Sequence, residues 1–376
     1  MYSQSIEVGN SVLGGGGPEW AHSMLITTHS QERIMMKHKG TALVLGATGG
    51  IGGEVARQMR DAGWKVRAMK RGLQGWSERD GITWVSGDAL SPRDVTAAAQ
   101  GVSVIVHAVN PPGYRNWGKV VLPMLDSTIA AATIVGATIV LPGTIYNFGP
   151  DAFPVLTESS PQHPLTRKGA IRVAMEERLR AYADNGGRVL IVRAGDFFGP
   201  QAGNNWFAQG IVKAGQPVKT IYQPADRGVG HEWSYLPDVA RTIVELLEKS
   251  ATLEPFASFH MAGHWDPDGT RLTDSIRRVV ARRTGLQPKV AAFPWWMLKL
   301  AAPFVTTFKE MQEMRYLWRN PLRMDNSRLL AGLGYEPHTP LDVAVETTLQ
   351  ALGCLGAPIT SPFQNGSAST THPVGR

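Results

Sequence analysis

Along residues 40–200, short apolar runs alternate with longer stretches whose apolar positions recur every three or four residues. The runs at 41–45, 65–69, 82–85, 102–107, 138–141 and 188–192 read as six strands. The run at 102–107 is nearly unbroken (Val102, Val104, Ile105, Val106), as befits a strand covered on both faces. Ile51, Val55 and Met59 share one helical face, and further helices are predicted over about 117–135 and 169–183. This alternation predicts an α/β fold, a doubly wound parallel sheet with helices on both faces. Beyond about residue 200 the rhythm loosens. Strands near 218–222, 232–236 and 258–262 and helices near 237–249 and 270–283 predict a smaller C-terminal α/β lobe closing over the carboxyl edge of the sheet. The stretch 291–308, interrupted by Pro294, Lys299 and Pro303, predicts a bent, half-buried helix.

The two ends carry no such pattern. Residues 1–39 contain a run of four glycines at 14–17 and many Ser and Thr, and residues 356–376 are rich in Gly, Pro, Ser and Thr. Both are expected to be disordered. Met35 and Met36 stand just ahead of the first strand, which leaves open whether residues 1–39 belong to the native chain. The expected organisation is an extension 1–39, a sheet domain 40–200, a mainly substrate-binding lobe 201–355 and a tail 356–376.

Chemistry enters at the first strand–helix junction, Gly46-Ala-Thr48-Gly49-Gly50-Ile51-Gly52. Gly46 permits a tight turn, Gly49 lets the backbone approach a pyrophosphate, and Gly52 lets the helix pack closely on the strand. The N–H groups of the helix start then face an anion. A glycine triplet between an apolar strand and an amphipathic helix is the context that a dinucleotide site of the Rossmann type requires. Lys70 and Arg71 close the second strand, and no acid follows until Glu78. Two cations there suit a ribose 2′-phosphate, so NADP is expected, with NAD as the alternative. Asp88, after the third strand, is placed to accept from the adenine amino group or to cap the next helix. Asn110 opens the segment 110–114 after the fourth strand, which should edge the nicotinamide pocket.

Composition narrows the rest. The chain has 376 residues, 43% apolar and 18% charged, with 38 Lys and Arg against 31 Asp and Glu, a net charge of +7. The basic residues are scattered. The densest group, Arg277, Arg278, Arg282 and Arg283, lies on a stretch with helically spaced Leu272, Ile276, Val279 and Val280, and reads as a solvated helix face rather than a nucleic-acid patch. One cysteine, Cys354, rules out an internal disulfide framework, and the ten histidines show no metal-binding spacing, so no metal is expected. No signal sequence or membrane span is seen, which makes a cytoplasmic location the expectation.

These residues resemble the short-chain dehydrogenase/reductase superfamily, in particular the extended branch of NAD-dependent epimerases and dehydratases. The likeness rests on Gly46–Gly52, Gly87-Asp88, Val106-His107-Ala108, Leu141-Pro-Gly-Thr144-Ile-Tyr146-Asn-Phe-Gly149, Arg193-Ala-Gly-Asp-Phe-Phe-Gly-Pro200 and Tyr235-Leu-Pro-Asp-Val-Ala240, in order, over about residues 40–350. It implies a small-molecule substrate, Thr144 at the active-site Ser/Thr position, Ala108 beside the cofactor, and a homodimer. The family pairs a Tyr with a Lys four residues later on the helix after the fifth strand. Here Lys168 and Arg172 stand at those positions.

Lys168 and Arg172 share a helix face. Arg172 can donate to ribose hydroxyls, and its charge favours the neutral form of Lys168, which suits a general acid or base. Tyr146 is an alternative proton donor, and Thr144 can hydrogen-bond the substrate oxygen. Hydride transfer between NADP(H) and a carbonyl or alcohol carbon is therefore expected. The alternative is a non-catalytic NADP(H)-binding sensor, since the family Tyr is missing. Against both stands a pair of solvent-facing charges balanced by Glu176 and Glu177. His231, Glu232 and Trp233, and the aromatic stretch 293–297, are candidates for the substrate wall. Nucleotide-sugar, steroid-like and small-ketone substrates stay open.

Overall fold

The computed structural model describes residues 39–111, 117–201, 205–301 and 312–356. The expected disordered ends lie outside these residues apart from Lys39 and Gly356, as do Tyr114 and most of the predicted bend around Pro303.

In chain order the strands are β1 (Thr41–Leu45), β2 (Lys65–Lys70), β3 (Trp76–Arg79), β4 (Ile82–Ser86), β5 (Val104–His107), β6 (Thr138–Gly143), β7 (Val155–Leu156), β8 (Arg188–Arg193), β9 (Asp196–Phe198), β10 (Thr220–Gln223), β11 (His231–Tyr235), β12 (Phe256–His260), β13 (His264–Asp266), β14 (Lys289–Ala292) and β15 (Arg323–Met324). The helices are α1 (Gly50–Asp61), α2 (Pro92–Ala98), α3 (Trp117–Val135), α4 (Arg167–Asp184), α5 (Leu236–Glu248), α6 (Arg271–Thr284), α7 (Trp295–Ala301), α8 (Ser327–Leu333) and α9 (Leu341–Ala351).

The main sheet has the order β12-β8-β6-β5-β1-β2-β4-β3, parallel throughout except for the antiparallel edge pair β3–β4. The chain winds outward from β1 to β4, then crosses back to β5 and winds the other way. The carboxyl edge between β1 and β5 is thus the switch point at which such sheets bind ligands.

Strand alternation sorts the core into two layers. Ala42 and Val44 point to one face, against Val55 and Met59 of α1 and Val239 and Ile243 of α5. Leu43 and Leu45 point to the other, against Val95 of α2, Leu125 of α3 and Leu179 of α4. Local chemistry sets the helix starts. Ser91 Oγ accepts from the Asp94 N–H at 3.2 Å ahead of Pro92, and Thr166 Oγ1 accepts from the Gly169 N–H at 3.0 Å to begin α4. One described helix, α3, is long and apolar enough to cross a bilayer, with mean hydropathy 1.4. Its Val121, Leu125, Ala131 and Ala132 are buried in the second core layer, which accounts for its composition.

Two elements after residue 200 join the first core: β12 completes the main sheet beside β8, and α5 packs on α1. Of the other late elements, β10, β11, α6 and α9 share a separate core with Phe198, Phe207, Trp233 and Trp318, whereas Leu329 of α8 joins the first layer. The arginines of α6 lie on an exposed helix face, as expected, and also pair with α9. Arg278 pairs with Asp342 at 2.7 Å, and Arg282 and Arg283 pair with Glu346, fastening α9 along α6.

Candidate functional site

A cavity of about 970 Å³ runs along the carboxyl edge of the main sheet. Its first end is made largely of backbone. Gly46 has φ +90°, and a Cβ there would sit 2.4 Å from the Ala108 carbonyl oxygen. A Cβ on Gly52 would sit 2.4 Å from the Gly46 oxygen. Gly52 is therefore a packing glycine behind the cleft, while Gly46, Thr48, Gly49, Gly50 and Ile51 line it. Gly49 is the N-cap of α1, no side chain caps the helix, and its first turn holds no acid. The leading N–H groups and the positive end of the helix are left to an anion, which fits a dinucleotide pyrophosphate.

Lys70 and Arg71, both exposed, and Asp88 line the same end. Asp88 does not cap α2, which Ser91 does. Its Oδ1 instead accepts the Leu90 N–H at 3.0 Å. Farther along, Ala108 and Asn110 follow β5 into the cleft. Asn110 Oδ1 accepts from Trp117 Nε1 at 2.6 Å, and the Arg172 guanidinium lies 5.6 Å from the centre of that indole. Arg172 is thereby tied to the β5 side of the cavity. His107, beneath Ala108, is buried. Thr128 already donates its hydroxyl to the Met124 carbonyl, so His107 Nδ1 donates to Thr128 Oγ1 at 2.8 Å. Burial, and then the charge of Arg172, push its pKa down to about 3. The ring is neutral at working pH, and its Nε2 has no hydrogen-bond partner among the described residues.

The third part of the cavity is built from side chains. Thr144 and Tyr146 come from the turn after β6, and Lys168 and Arg172 from α4. The approach of α4 depends on Gly169, where a Cβ would lie 2.2 Å from the Tyr146 carbonyl oxygen. Lys168 is 5% exposed. Together with its place on the cavity, this removes the reading of Lys168 and Arg172 as solvent-facing charges. Glu176 does not balance them either. It is buried and takes both oxygens to Arg193 Nη2, at 2.7 and 2.8 Å. Arg193 also donates to the Thr144 carbonyl at 2.6 Å and to His260 Nε2 at 3.1 Å. Asn147 and Gln162 donate to the same carboxylate at 2.9 Å. One buried network thus holds the β6 turn, α4, β8 and β12 in register behind the site.

The late candidates for the substrate wall fall differently. His231, Glu232 and Trp233 are buried off the cavity. His231 Nε2 donates to Asp196 Oδ2 at 2.9 Å, with its ring stacked on Trp318. Burial raises the Glu232 carboxyl well above its usual range. Phe293 and Trp295 stand behind the wall, and Trp296 and Met297 are exposed. The residues that do line this end are Asp196, Phe197, Asn205, Trp206, Gln209 and Met314. None carries a sequence signal of its own. The Gly-Asp-Phe-Phe segment marked the first two only as part of a longer motif.

Comparison with known proteins identifies the fold and the family. The profile of the NAD dependent epimerase/dehydratase family matches residues 42–261. UDP-glucuronic acid 4-epimerase from Bacillus cereus, solved in complex with NAD, superposes with a TM-score of 0.63 at 16% identity, over 83% of this chain and 96% of that one. UDP-N-acetylglucosamine 4-epimerase from Bacillus cereus gives 0.61 at 15%, over 84% and 99%. These identities speak to the fold alone. A 2-alkyl-3-oxoalkanoate reductase from Shewanella oneidensis is 31% identical over 96 residues, 26% of this chain and 24% of that protein. The matched stretch thus spans about a quarter of that relative's length. With the family profile covering more than half of its length, the chain belongs to the NAD-dependent epimerase/dehydratase family of the short-chain dehydrogenase/reductase superfamily.

Proposed function

We propose that the protein is an NADP(H)-dependent oxidoreductase acting on a carbonyl or alcohol carbon of a small molecule. The observation that carries this reading is a buried lysine, Lys168, lining the same cleft as Thr144, Tyr146 and the glycine turn. When bound, the nicotinamide supplies or takes the hydride. Thr144 hydrogen-bonds the substrate oxygen, and Lys168, or Tyr146 in its place, gives that oxygen its proton in reduction and removes it in oxidation. Arg172, steadied by Trp117, donates to the ribose hydroxyls. Lys70 and Arg71 hold the 2′-phosphate, and the absence of an acid at the end of β2 supports NADP over NAD.

Absorbance of NADPH over a carbonyl panel tests this. Lys168→Ala is expected to lower kcat by roughly 10²–10⁴ with little change in NADPH affinity. Unchanged turnover removes Lys168 from the mechanism. Tight NADPH binding without turnover on any carbonyl favours the non-catalytic sensor, the reading to which the missing family Tyr points.

A further inference from the structure

The strand order gives the cavity a direction. The tips of β2 and β4 carry Lys70, Arg71 and Asp88, the tips of β5 and β6 carry Asn110 and Thr144, and the cavity continues past β8 to Asp196, Trp206 and Met314. The first two stations are occupied when a dinucleotide lies across the switch point. The third, beyond β8, is left for the substrate.

One wall is apolar and fixed, and the neutral amides of Asn205 and Gln209 stand beside it. Phe197, Trp206, Leu236 and Met314 line it. Trp206 opens a π-helical turn, Phe207–Ile211, a geometry that recurs at functional sites. Its indole is braced by Trp318, Trp295 and Phe293, with ring centres 5.0, 5.6 and 5.8 Å away. A wall held in this way does not have to be ordered when an apolar ligand arrives.

Charge points the same way. Among the described lining residues from β8 onward, Asp196 alone is charged, and none is Lys or Arg. Asp196 is 7% exposed and is fixed by His231 Nε2. A nucleotide sugar would bring a diphosphate to this end. Diphosphates are held chiefly by cations; here the donors are two neutral amides, Asn205 and Gln209, and a fixed carboxylate beside them repels the anion.

We infer that the Phe197–Trp206–Met314 end of the cavity takes an uncharged carbonyl compound with an alkyl or alicyclic arm, and that Asp196 excludes anionic substrates from it. The inference rests on the hydride-transfer reading of the same cleft. Trp206 and Asp196 are its specificity-determining residues.

The test uses the full chain with NADPH and three substrate arms: 2-alkanones of increasing length, 2-oxo acids of matched length, and UDP-glucose as a competing ligand. Expected is a rise in kcat/KM of about four-fold per added methylene until the pocket fills. Oxo acids should be turned over at least ten-fold more slowly than ketones of equal length, and UDP-glucose should not compete. Trp206→Ala should flatten the chain-length series. Asp196→Asn, which keeps an acceptor for His231, should narrow the ketone-to-oxo-acid ratio about ten-fold. NADPH binding measured alongside reports that each variant is folded. Turnover of oxo acids in preference to ketones, a series without a length trend, or competition by UDP-glucose overturns the inference while leaving hydride transfer intact. Failure of every carbonyl to oxidise bound NADPH overturns both readings, and is a different result.

Discussion

The two ends of the cleft are built by different means. At the glycine turn, backbone N–H groups and a helix terminus border the cavity, and the side chains there are small. At the other end, Thr144, Lys168, Asp196, Trp206 and Met314 arrive from distant parts of the chain and line the cavity. The first end is specified by what must be absent, a Cβ. The second is specified by long-range packing, chiefly the buried network of Arg193, Glu176, Asn147, Gln162 and His260. Backbone recognition should therefore fail abruptly under small substitutions. Side-chain recognition should degrade through the scaffold that positions it.

The largest expected effect is at the backbone end. Gly52→Val places carbon 2.4 Å from the Gly46 oxygen, and should abolish NADPH binding in a fluorescence titration or prevent folding. Binding within ten-fold of wild type would show that the turn can relax, and would erase the contrast. Next is Arg193→Leu, which strands the buried Glu176 carboxylate. A loss of roughly 3–5 kcal/mol is expected in urea unfolding, largely recovered when Glu176→Gln is added.

The scaffold also carries a pH signature. Burial, and then the neighbouring Arg193, push His260 down to about 3, as burial and Arg172 do for His107. Both rings are neutral when folded but take up protons near pH 6.5 when unfolded. Their stabilisation is complete above pH 6.5 and is lost on acidification toward pH 3, at about 1.4 kcal/mol per pH unit for each ring. The stability gap between wild type and His107→Asn should shrink as pH falls from 7 to 5. A constant gap would mean that His107 is not held neutral. The smallest effect is expected at the exposed cations. Arg71→Ala should weaken NADPH about ten-fold and leave NADH nearly unchanged. Equal losses for both would remove Arg71 from 2′-phosphate recognition.

The same contrast decides what could be read from the sequence. Gly46, Gly49 and Gly52 announce their end because no other residue serves there. Six of the nine described strands in residues 40–200 are legible, short β7 and β9 being outside the pattern, and α3 falls where its apolar pattern lies, because each of the six is covered by its own neighbours. β3 was missed, being a short polar hairpin strand with every residue exposed. Seven-residue α2 is too brief to show a period. β12 was expected in the smaller lobe because nothing local says that it will pair with β8. The exposed face of α6 is legible, but its ion pairs are not, because Asp342 and Glu346 lie some sixty residues later. Lys168 stands out only through the resemblance to the family, and the close approach of its helix depends on Gly169 and the Tyr146 carbonyl. Trp206 and Met314 gave no signal, because aromatic and Met residues are everywhere more often core.

The placement of β12 bears on how the chain is made. A ribosome must deliver residue 260 before β8 can be covered on its outer edge. Until then the nascent sheet carries an open, apolar parallel strand, the kind of edge to which another chain can add. A fragment cut near residue 200 would keep the entire glycine turn and the basic pair after β2, yet would expose Val189 to Arg193 along that edge. Such a fragment is expected to aggregate rather than serve as a free-standing nucleotide-binding module. Gene fusions or shuffled variants of this protein should therefore exchange the segment through β12 as one piece.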